Sequence, residues 1–502
     1  MKIKKLNESY FICFDCSQND LEIISSRLKV KKDKMIFLAK KFNFYNENEI
    51  YRHYWKNLNN YIVIPYQAKE LLKDIIQNYD EFNIKIDPQE VKDYFNQIKE
   101  FQPFETYDFQ KKAIIGALIN KKHFIQACTG SGKSVIISLI IKILIQKGLK
   151  GLLLVPNVSL VNQFDNDIKS YKLDIDRRLI GGDFKVKEYD KPLTISTWQS
   201  ARLFKDSLKE LDFVIVDEAH SIGGNEVFEI VNECLNAEYK IGLSGTFPDL
   251  PESKLSALVS FGFPKIYVRA RDLIDQKLGT EIIINRLQLE YPDIINLTCN
   301  DKDSKTNTIS KNRLESIEEY STQLKNLLKS KERLNFLTDL AIKTNGNTVL
   351  LFDRVNYGLE IFNNICIKKK IPMPQNAYKN LTFQIENKIF FINGQIKPEQ
   401  REQIRKMVQN QEDYIICANI KIMSTGINIP NLQNLIFGCP IKAYITVTQS
   451  LGRLIRLHNS KKITNVYDID DKIGFFKYQY KHRFNNSYLP EGYSIKEDII
   501  RL

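Results

Sequence analysis

The stretch that most constrains this chain is Ala127-Cys128-Thr129-Gly130-Ser131-Gly132-Lys133-Ser134. A short apolar run, His123-Phe124-Ile125, precedes it, and a longer one, Val135 to Ile145, follows. That succession predicts a strand, a tight turn and a helix. It is the frame of a phosphate-binding loop, with Ala127 where a Gly often stands. Gly130 and Gly132 permit positive φ and let consecutive N–H groups converge on an anion. The helix that begins there aims its positive end at the same point. Lys133 has the reach for β- and γ-phosphates, and the Ser134 hydroxyl is a ligand type for Mg2+. An ordinary turn could share these letters, but the strand–loop–helix setting argues against it.

At 502 residues the chain exceeds a single core, and about three or four domains are expected. Its hydrophobic fraction of 43% is that of a globular protein. No apolar run approaches the ~20 residues of a membrane span. Met1-Lys2-Ile3-Lys4-Lys5 is basic with no apolar stretch behind it, so no signal peptide is read and a cytoplasmic location is expected. The net charge of +13 points to a polyanionic partner. A lysine-rich coding bias would give the same excess. Of the eight Cys, Cys234, Cys366, Cys417 and Cys439 lie in apolar runs, as reduced buried thiols do. Cys13-Phe14-Asp15-Cys16 has no second pair at zinc-site spacing and reads as part of an alternating strand.

Residues 1–100 carry no catalytic pattern. Leu6 to Cys16 reads as one strand and Asp20 to Leu28 as a helix. Phe37, Phe42, Phe44, Tyr45, Tyr51, Tyr54 and Trp55 then alternate with Lys40, Lys41, Arg52, His53 and Lys56. Such a mixture serves phosphate contact and base stacking, or the aromatics fill a small core. Asp87-Pro88-Gln89 opens an acidic helix to Glu100. Gln110, about twenty residues ahead of the loop, carries an amide that can both donate to and accept from an adenine edge.

Past the loop, apolar runs at Gly151 to Pro156, Leu193 to Thr197, Phe213 to Val216 and Lys240 to Leu243 read as buried parallel strands. Polar residues stand at their carboxyl ends, where ligands bind in such sheets. The third run ends in Asp217-Glu218-Ala219-His220. An Asp at a strand tip can hold Mg2+, and the neighbouring Glu can orient and deprotonate a water. Ser244-Gly245-Thr246 ends the fourth run. Asn296 to Ser316 reads as an exposed loop. A second α/β unit follows, with strands at Val349 to Phe352, Lys388 to Ile392, Asp413 to Cys417 and Leu435 to Phe437. Asn393-Gly394-Gln395 with Arg401 and Ser424-Thr425-Gly426-Ile427-Asn428 lie between these strands. This unit has no phosphate loop. It closes on a predicted helix from Thr448 to Arg456, whose Arg453 and Arg456, three apart, share one face. Two guanidiniums there suit a γ-phosphate; an exposed, salt-bridged helix is the alternative.

Together these motifs resemble the superfamily 2 helicases. Gln110 stands at the place of the adenine-reading glutamine, and Ala127 to Ser134 matches motif I. Pro156, Leu160 and Gln163 match motif Ia, Asp217 to His220 a DEAH-type motif II, and Ser244 to Thr246 motif III. Ser424-Thr425-Gly426 with Asn428 matches motif V, and Gln449 to Arg456 matches motif VI as Q-x-x-G-R-x-x-R. Ile180-Gly181-Gly182, Thr197-Trp198-Gln199, Leu289-Glu290-Tyr291-Pro292 and Tyr467-Asp468-Ile469-Asp470-Asp471 extend the resemblance to the UvsW-like phage recombination and branch-migration helicases.

The resemblance implies an α/β chain with two tandem RecA-like parallel-sheet domains, 101–280 and 281–470. A small N-terminal α+β domain, 1–100, would bind DNA, and 471–502 would be an extension. It implies ATP and Mg2+ as cofactors. Lys133, Asp217, Glu218, Gln449, Arg453 and Arg456 would be catalytic. Gln110, Thr129, Gly130, Ser131, Gly132, Lys133, Ser134, Gly426 and Asn428 would bind nucleotide, and Ser134 and Asp217 the metal. Pro156, Gln163, Gly181, Gly182, Thr197, Trp198, Gln199, Gly394 and Thr425 would touch nucleic acid. The implied partner is branched or forked DNA handled by a monomer, with single-stranded-DNA-binding or recombination proteins nearby and no membrane. An RNA-directed helicase, a restriction-type motor and a scaffold with an inactive site are the alternatives.

Overall fold

A computed structural model describes residues 1–31, 51–58, 61–82, 84, 86–182, 189–223, 225–291, 312–396, 398–421, 429–441 and 443–502. They divide into two compact units, Met1–Val268 and Arg269–Leu502.

The first unit is built on a seven-stranded parallel sheet. Its strand order is Pro264–Val268, Lys122–Ala127, Tyr239–Ser244, Phe213–Asp217, Gly151–Val155, Leu193–Thr197 and Arg177–Ile180. The four apolar runs read as strands are all present, and the central ones are buried along their whole length. Strands covered on both faces need no alternation, which is why they read as continuous apolar runs. The helix Lys133–Gln146 is equally apolar and is buried from Val135 to Ile141.

The N-terminal region adds an antiparallel sheet ordered Lys2–Lys5, Tyr10–Phe14, Tyr61–Pro65 and Lys56–Leu58. The strand expected from Leu6 to Cys16 is found as Tyr10–Phe14, its first residues forming instead a reversal that follows another strand, Lys2–Lys5, and folds the two back on each other. The Asn7 side chain causes the reversal by accepting from the N–H groups of Ser9 (2.8 Å) and Tyr10 (2.9 Å). Ser17 and Asp20 form a capping box on the helix Gln18–Arg27. Cys13 is buried in its strand, and burial pushes its thiol up to about 12. Phe37, Lys40, Lys41, Phe42, Phe44 and Tyr45 lie outside the described residues.

This region docks on the amino ends of two central strands. Lys122 is buried, with its ammonium 3.7 Å from the Tyr66 ring centre, and its carbonyl accepts from Gln67 Nε2 at 3.0 Å. Buried Lys240 donates to Ser9 Oγ and to the Val231 carbonyl, each at 2.7 Å. Tyr54 OH lies 2.7 Å from Ser256 Oγ, and its ring meets Phe228 edge-on. Tyr54 therefore serves the core, the second of the two readings of the aromatics.

The second unit also holds seven parallel strands. Their order is Ile389–Ile392, Ile415–Asn419, Thr348–Phe352, Asn434–Phe437, Ile463–Asp471, Glu281–Glu290 and Ser494–Arg501. The last of these lies in the segment after residue 471, and it forms one edge of the sheet. The loop expected over Asn296 to Ser316 falls outside the described residues up to 311. From Asn312 the chain is helical, through Leu328, which corrects the end of that loop.

Strand Ile463–Asp471 carries three carboxylates, and each meets an arginine. Arg333, with no exposed surface, donates to both oxygens of Asp471 at 2.8 and 3.0 Å, to Tyr357 OH and to the Gly438 carbonyl. Arg483 grips Asp468, and Arg286 grips Asp470. Leaving one partner of a buried ion pair uncompensated costs about 3–5 kcal/mol. Arg333→Met, which keeps the stem and removes the charge, should lower the urea midpoint by that equivalent. Asp339→Asn, at the half-exposed pair with Lys368, should cost under about 1 kcal/mol. Equal midpoints for the two variants would contradict the assignment.

Candidate functional site

All strands of the first sheet run the same way, so their carboxyl ends share one edge. The chain leaves that edge at Cys128, Pro156, Gly181, Trp198, Glu218 and Gly245, directly after the six strands that end before them. The candidate site grows from three of these exits.

The loop Thr129–Gly132 leads straight into the helix that starts at Lys133. Gly132 adopts φ 78°, and a Cβ there would stand 2.6 Å from Gln110 Nε2. Only glycine fits both the conformation and the space. Gln110, 2% exposed, donates from Nε2 to the Ser131 carbonyl at 2.9 Å and accepts at Oε1 from the Tyr107 N–H at 3.0 Å. The glutamine therefore ties the loop, through one N–H, to the start of its own helix, through one lone pair, and its amide keeps one of each. Tyr107 is 44% exposed and stacks on Phe109 with ring centres 5.6 Å apart. It offers a flat apolar face beside Gln110.

Asp217 ends its strand almost fully buried. Burial first, then the neighbouring Glu218 carboxylate, pushes its carboxyl up to about 7, while the Lys133 charge pulls it down. Lys133 Nζ also donates to the Ala127 carbonyl at 3.3 Å. Glu218 turns the chain off the strand at φ 52°, a left-handed conformation uncommon outside glycine and found at functional sites. His220 Nδ1 lies 3.2 Å from Glu218 Oε2 and 2.9 Å from Ser244 Oγ, so one ring nitrogen joins that carboxylate to the next strand tip. Gly245 packs on Thr129, whose Oγ1 would be 3.4 Å from a Cβ there. Gln110, Thr129 to Ser134, Asp217, Glu218 and the Ser244 tip are thus one constellation.

Two features here were not read from the sequence. Tyr171 OH lies 3.1 Å from Ser134 Oγ. The Ser131 and Thr246 hydroxyls are buried with no hydrogen-bond partner among the described residues. Tyr171 follows the helix Val158–Ser170, outside every motif string, so nothing local signalled it.

The other exits carry the remaining residues of this sheet. Gly181 lies against Thr197, a Cβ on it falling 3.2 Å from Thr197 Cγ2, and Gly182 lies against Val158. Thr197 Oγ1 donates to Ser200 Oγ at 3.1 Å. Gln163 and Gln199 are exposed, and Pro156 is half-buried. Trp198 packs partly against the core beneath the sheet.

In the second unit Gln449 and Arg453 sit on the helix Tyr444–Leu454. That helix was expected to reach Arg456; it stops two residues short, so Arg453 and Arg456 do not share a regular helical face. The cause is capping by distant groups. Thr280 N–H takes the Ile455 carbonyl at 2.7 Å and Thr280 Oγ1 takes that of Arg456 at 3.1 Å. Lys461 Nζ takes the Leu454 carbonyl at 2.7 Å. Arg453 is half-buried and Arg456 exposed. Gly394 is exposed on another strand exit, where Arg401 Nη2 donates to its carbonyl at 3.1 Å. Thr425, Gly426 and Asn428 lie outside the described residues.

A buried carboxyl held near neutrality has a measurable consequence. Ionising Asp217 is harder in the folded chain than in the unfolded one, so stability is lost as pH rises from about 4 through about 7. Asp217→Asn removes that loss. In the absence of nucleotide and metal the variant should match the wild type at pH 4 and, at pH 8, be more stable by about 1–4 kcal/mol and so melt higher. Melting at pH 8 at or below the wild-type value would contradict it.

Two family models match the chain: "Type III restriction enzyme, res subunit" over residues 63–249 and "Helicase conserved C-terminal domain" over 332–458. The ATP-dependent DNA helicase uvsW of Enterobacteria phage T4 is 27% identical over 381 residues, 74% of this chain and 69% of that protein. The DNA 3'-5' translocase XPB2 of Sulfurisphaera tokodaii is 23% identical over 368 residues, 70% and 79%. Among solved structures, a fragment of an HsdR subunit of a type I restriction enzyme from Vibrio vulnificus shares the fold. Its TM-score is 0.54 at 15% identity, covering 93% of this chain and 82% of that one. The paired sheets, the loop with its buried acid and the two matched domains agree: the chain belongs to the superfamily 2 helicases, enzymes that hydrolyse ATP.

Proposed function

We propose that the chain is an ATP-driven DNA motor that remodels branched DNA, namely forks, Holliday junctions and displacement loops, in recombination, repair and replication. The observation that carries the reading is the constellation at one edge of the first sheet. A glycine loop running into a helix N-terminus, a lysine, a buried strand-tip carboxyl and a second carboxylate beside it form the donor set for an Mg2+-nucleotide. DNA as the track is supported by the two relatives whose names specify DNA. Its branched character is supported by the resemblance to UvsW-like helicases.

The residues fit ATP and a divalent ion. Ser131 presents a buried hydroxyl beside the loop amides. Asp217, raised by burial, gains most from a cation nearby. Mg2+ in phosphoryl-transfer sites is held by one or two protein ligands plus phosphate oxygens and water, so Ser134 and Asp217 suffice. Ser134 and Asp217 would hold the ion, which would supply positive charge against the phosphates. Gln110 reads the adenine edge with its remaining N–H and lone pair. Thr129 to Ser134 cradle the phosphates, and Gly426 and Asn428 add contacts. Glu218 orients and deprotonates the attacking water, steadied by His220. Gln449, Arg453 and Arg456 oppose charge building on the γ-phosphate in turnover. Pro156, Gln163, Gly181, Gly182, Thr197, Trp198, Gln199, Gly394 and Thr425 hold the DNA strand through its backbone, which is sequence-blind.

The N-terminal 1–100 adds a basic DNA-facing surface to the RecA-like domains 101–280 and 281–470. The motor works as a monomer in the cytoplasm, the host's if the chain is phage-borne. Single-stranded-DNA-binding or recombination proteins are its neighbours. Among the described residues no helix is long and apolar enough to cross a membrane.

Lys133→Ala should fold normally and lose nucleic-acid-stimulated ATP hydrolysis. In an ATPase and strand-separation panel, forked DNA and Holliday junctions should stimulate wild type more than duplex or RNA. Stimulation by RNA alone would sink the DNA reading. Arg456→Ala should keep ATP affinity while kcat falls by roughly 10³ or more; an unchanged kcat would remove Arg456 from the chemistry.

A further inference from the structure

The helix that carries Gln449 and Arg453 is held from outside by a segment that no motif covers. After strand Ile463–Asp471 the chain forms a helix Gln479–Arg483, a single i→i+5 turn Phe484–Tyr488, and Leu489–Glu491. A turn of that width is rare and is kept where side chains must be re-aimed. Residues four and five places on then straddle the first, so Arg483, Ser487 and Tyr488 all face inward together.

Each makes a specific contact. Arg483, 3% exposed, donates from Nε to Asp468 Oδ2 at 2.9 Å and from Nη2 to Oδ1 at 2.6 Å. Tyr488 OH donates to the same Oδ2 at 2.6 Å. With its remaining nitrogen, Nη1, Arg483 donates to the carbonyl of Ile441, three residues before the arginine helix begins at Tyr444. Ser487 Oγ lies 2.7 Å from Thr448 Oγ1, and both residues are buried. Thr448 adjoins Gln449 and is five residues before Arg453. Glu491 accepts from the Ala270 N–H at 2.7 Å, at the start of Ala270–Asp275, the first helix of this unit. The entry and the middle of the arginine helix are therefore fixed by residues 479–491. Its exit is fixed by Thr280 and Lys461.

We propose that residues 479–491 are a clasp that positions the arginine helix for turnover, with Ser487 and Arg483 as its positioning residues. The proposal rests on the reading that Arg453 and Arg456 serve ATP hydrolysis. A catalytic charge displaced by about 1 Å can lose on the order of 10²-fold in rate, so a helix carrying such charges must be fixed in rotation as well as in place. The Arg483–Asp468 pair anchors the clasp on the rigid sheet, and the Ser487–Thr448 bond passes that rigidity to the helix.

The test uses the full chain and its nucleic-acid-stimulated ATPase. Ser487→Ala and Thr448→Val should each lower kcat about tenfold and leave KM for ATP within about twofold. The double variant should lose no more than either single, because one bond is removed in all three. Ser487→Thr, which keeps the hydroxyl, should restore kcat. Arg333→Met instead unpairs Asp471 and loses the Tyr357 contact, neither of which involves residues 479–491 or the helix Tyr444–Leu454. It should lower the melting temperature and keep kcat. Wild-type kcat in the single variants, losses that multiply in the double, or a kcat that follows melting temperature in Arg333→Met would each overturn the clasp. Lys133→Ala run alongside separates the two ideas. If it still hydrolyses ATP, the nucleotide reading has failed. If it is dead while Ser487→Ala runs at full rate, the clasp alone has failed.

Discussion

Parallel pairing of strands covered on both faces governs the rest of this molecule. Such a strand has no solvated side, so each polar side chain must pair inside or wait for the strand to end. In a parallel sheet those ends lie along one edge, and ligand-binding loops collect there. The first sheet follows this closely. Gly151–Val155 and Phe213–Val216 are apolar and buried residue by residue, and polar groups begin where they stop. Leu193–Thr197 departs from this with buried Thr194 and Ser196 inside the strand, and two larger exceptions lie at the opposite ends. Lys122 and Lys240 sit in the first two positions of their strands and find partners in the N-terminal region.

The treatment of buried carboxyls separates the two sheets. On Ile463–Asp471, Asp468, Asp470 and Asp471 each face an arginine, and the guanidinium forks satisfy both oxygens of Asp468 and Asp471. Desolvation of both partners is costly, and only such geometry offsets it. Those acids hold the fold. Asp217 lies equally deep but is flanked by the like charge of Glu218, with Lys133 as the nearest counterweight. A carboxyl that disfavours its own ionisation is primed for a cation. The cost of that state appears in the isolated chain as lost stability, which is how binding sites commonly trade against folding.

Sequence legibility followed the range of the interaction. The phosphate loop, Asp217-Glu218-Ala219-His220 and the strands made of apolar runs were readable because their physics is local: glycine dihedrals, an apolar run, a polar tip. The edge strands Arg177–Ile180, Pro264–Val268 and Ser494–Arg501 were not read as strands, nor were the interior strands Glu281–Glu290 and Ile463–Asp471, all of them mixed in polarity. The end of the arginine helix was misread for another reason. Gln449 to Arg456 is a good helical string, and what stops it at Leu454 is Thr280, some 175 residues earlier, taking two carbonyls. The Asn7 turn was missed because one asparagine outweighed an otherwise strand-like pattern. The Ser487–Thr448 bond is of the same distant kind, and no window of sequence contains both partners.

The docking of the N-terminal region bears on how the first unit carries load. Its core cluster includes Val259 from the helix Pro251–Phe261, so it shares an apolar interior with the parallel-sheet part. Two strands begin at this dock and end at the candidate site. Lys122–Ala127 runs from the Tyr66 contact to the phosphate loop, and Tyr239–Ser244 runs from the Ser9 contact to the His220 contact. Each spans about 16–20 Å of extended backbone. They are neighbours in the sheet, paired from Lys122 with Lys240 to Gln126 with Ser244. Close-packed interiors deform little and pass strain on. A force applied to the N-terminal sheet therefore arrives at the amino ends of the two strands whose other ends hold Thr129 and Ser244. Buried lysines tie that junction more firmly than exposed ones would, because undocking would strip each of the partners that offset its burial.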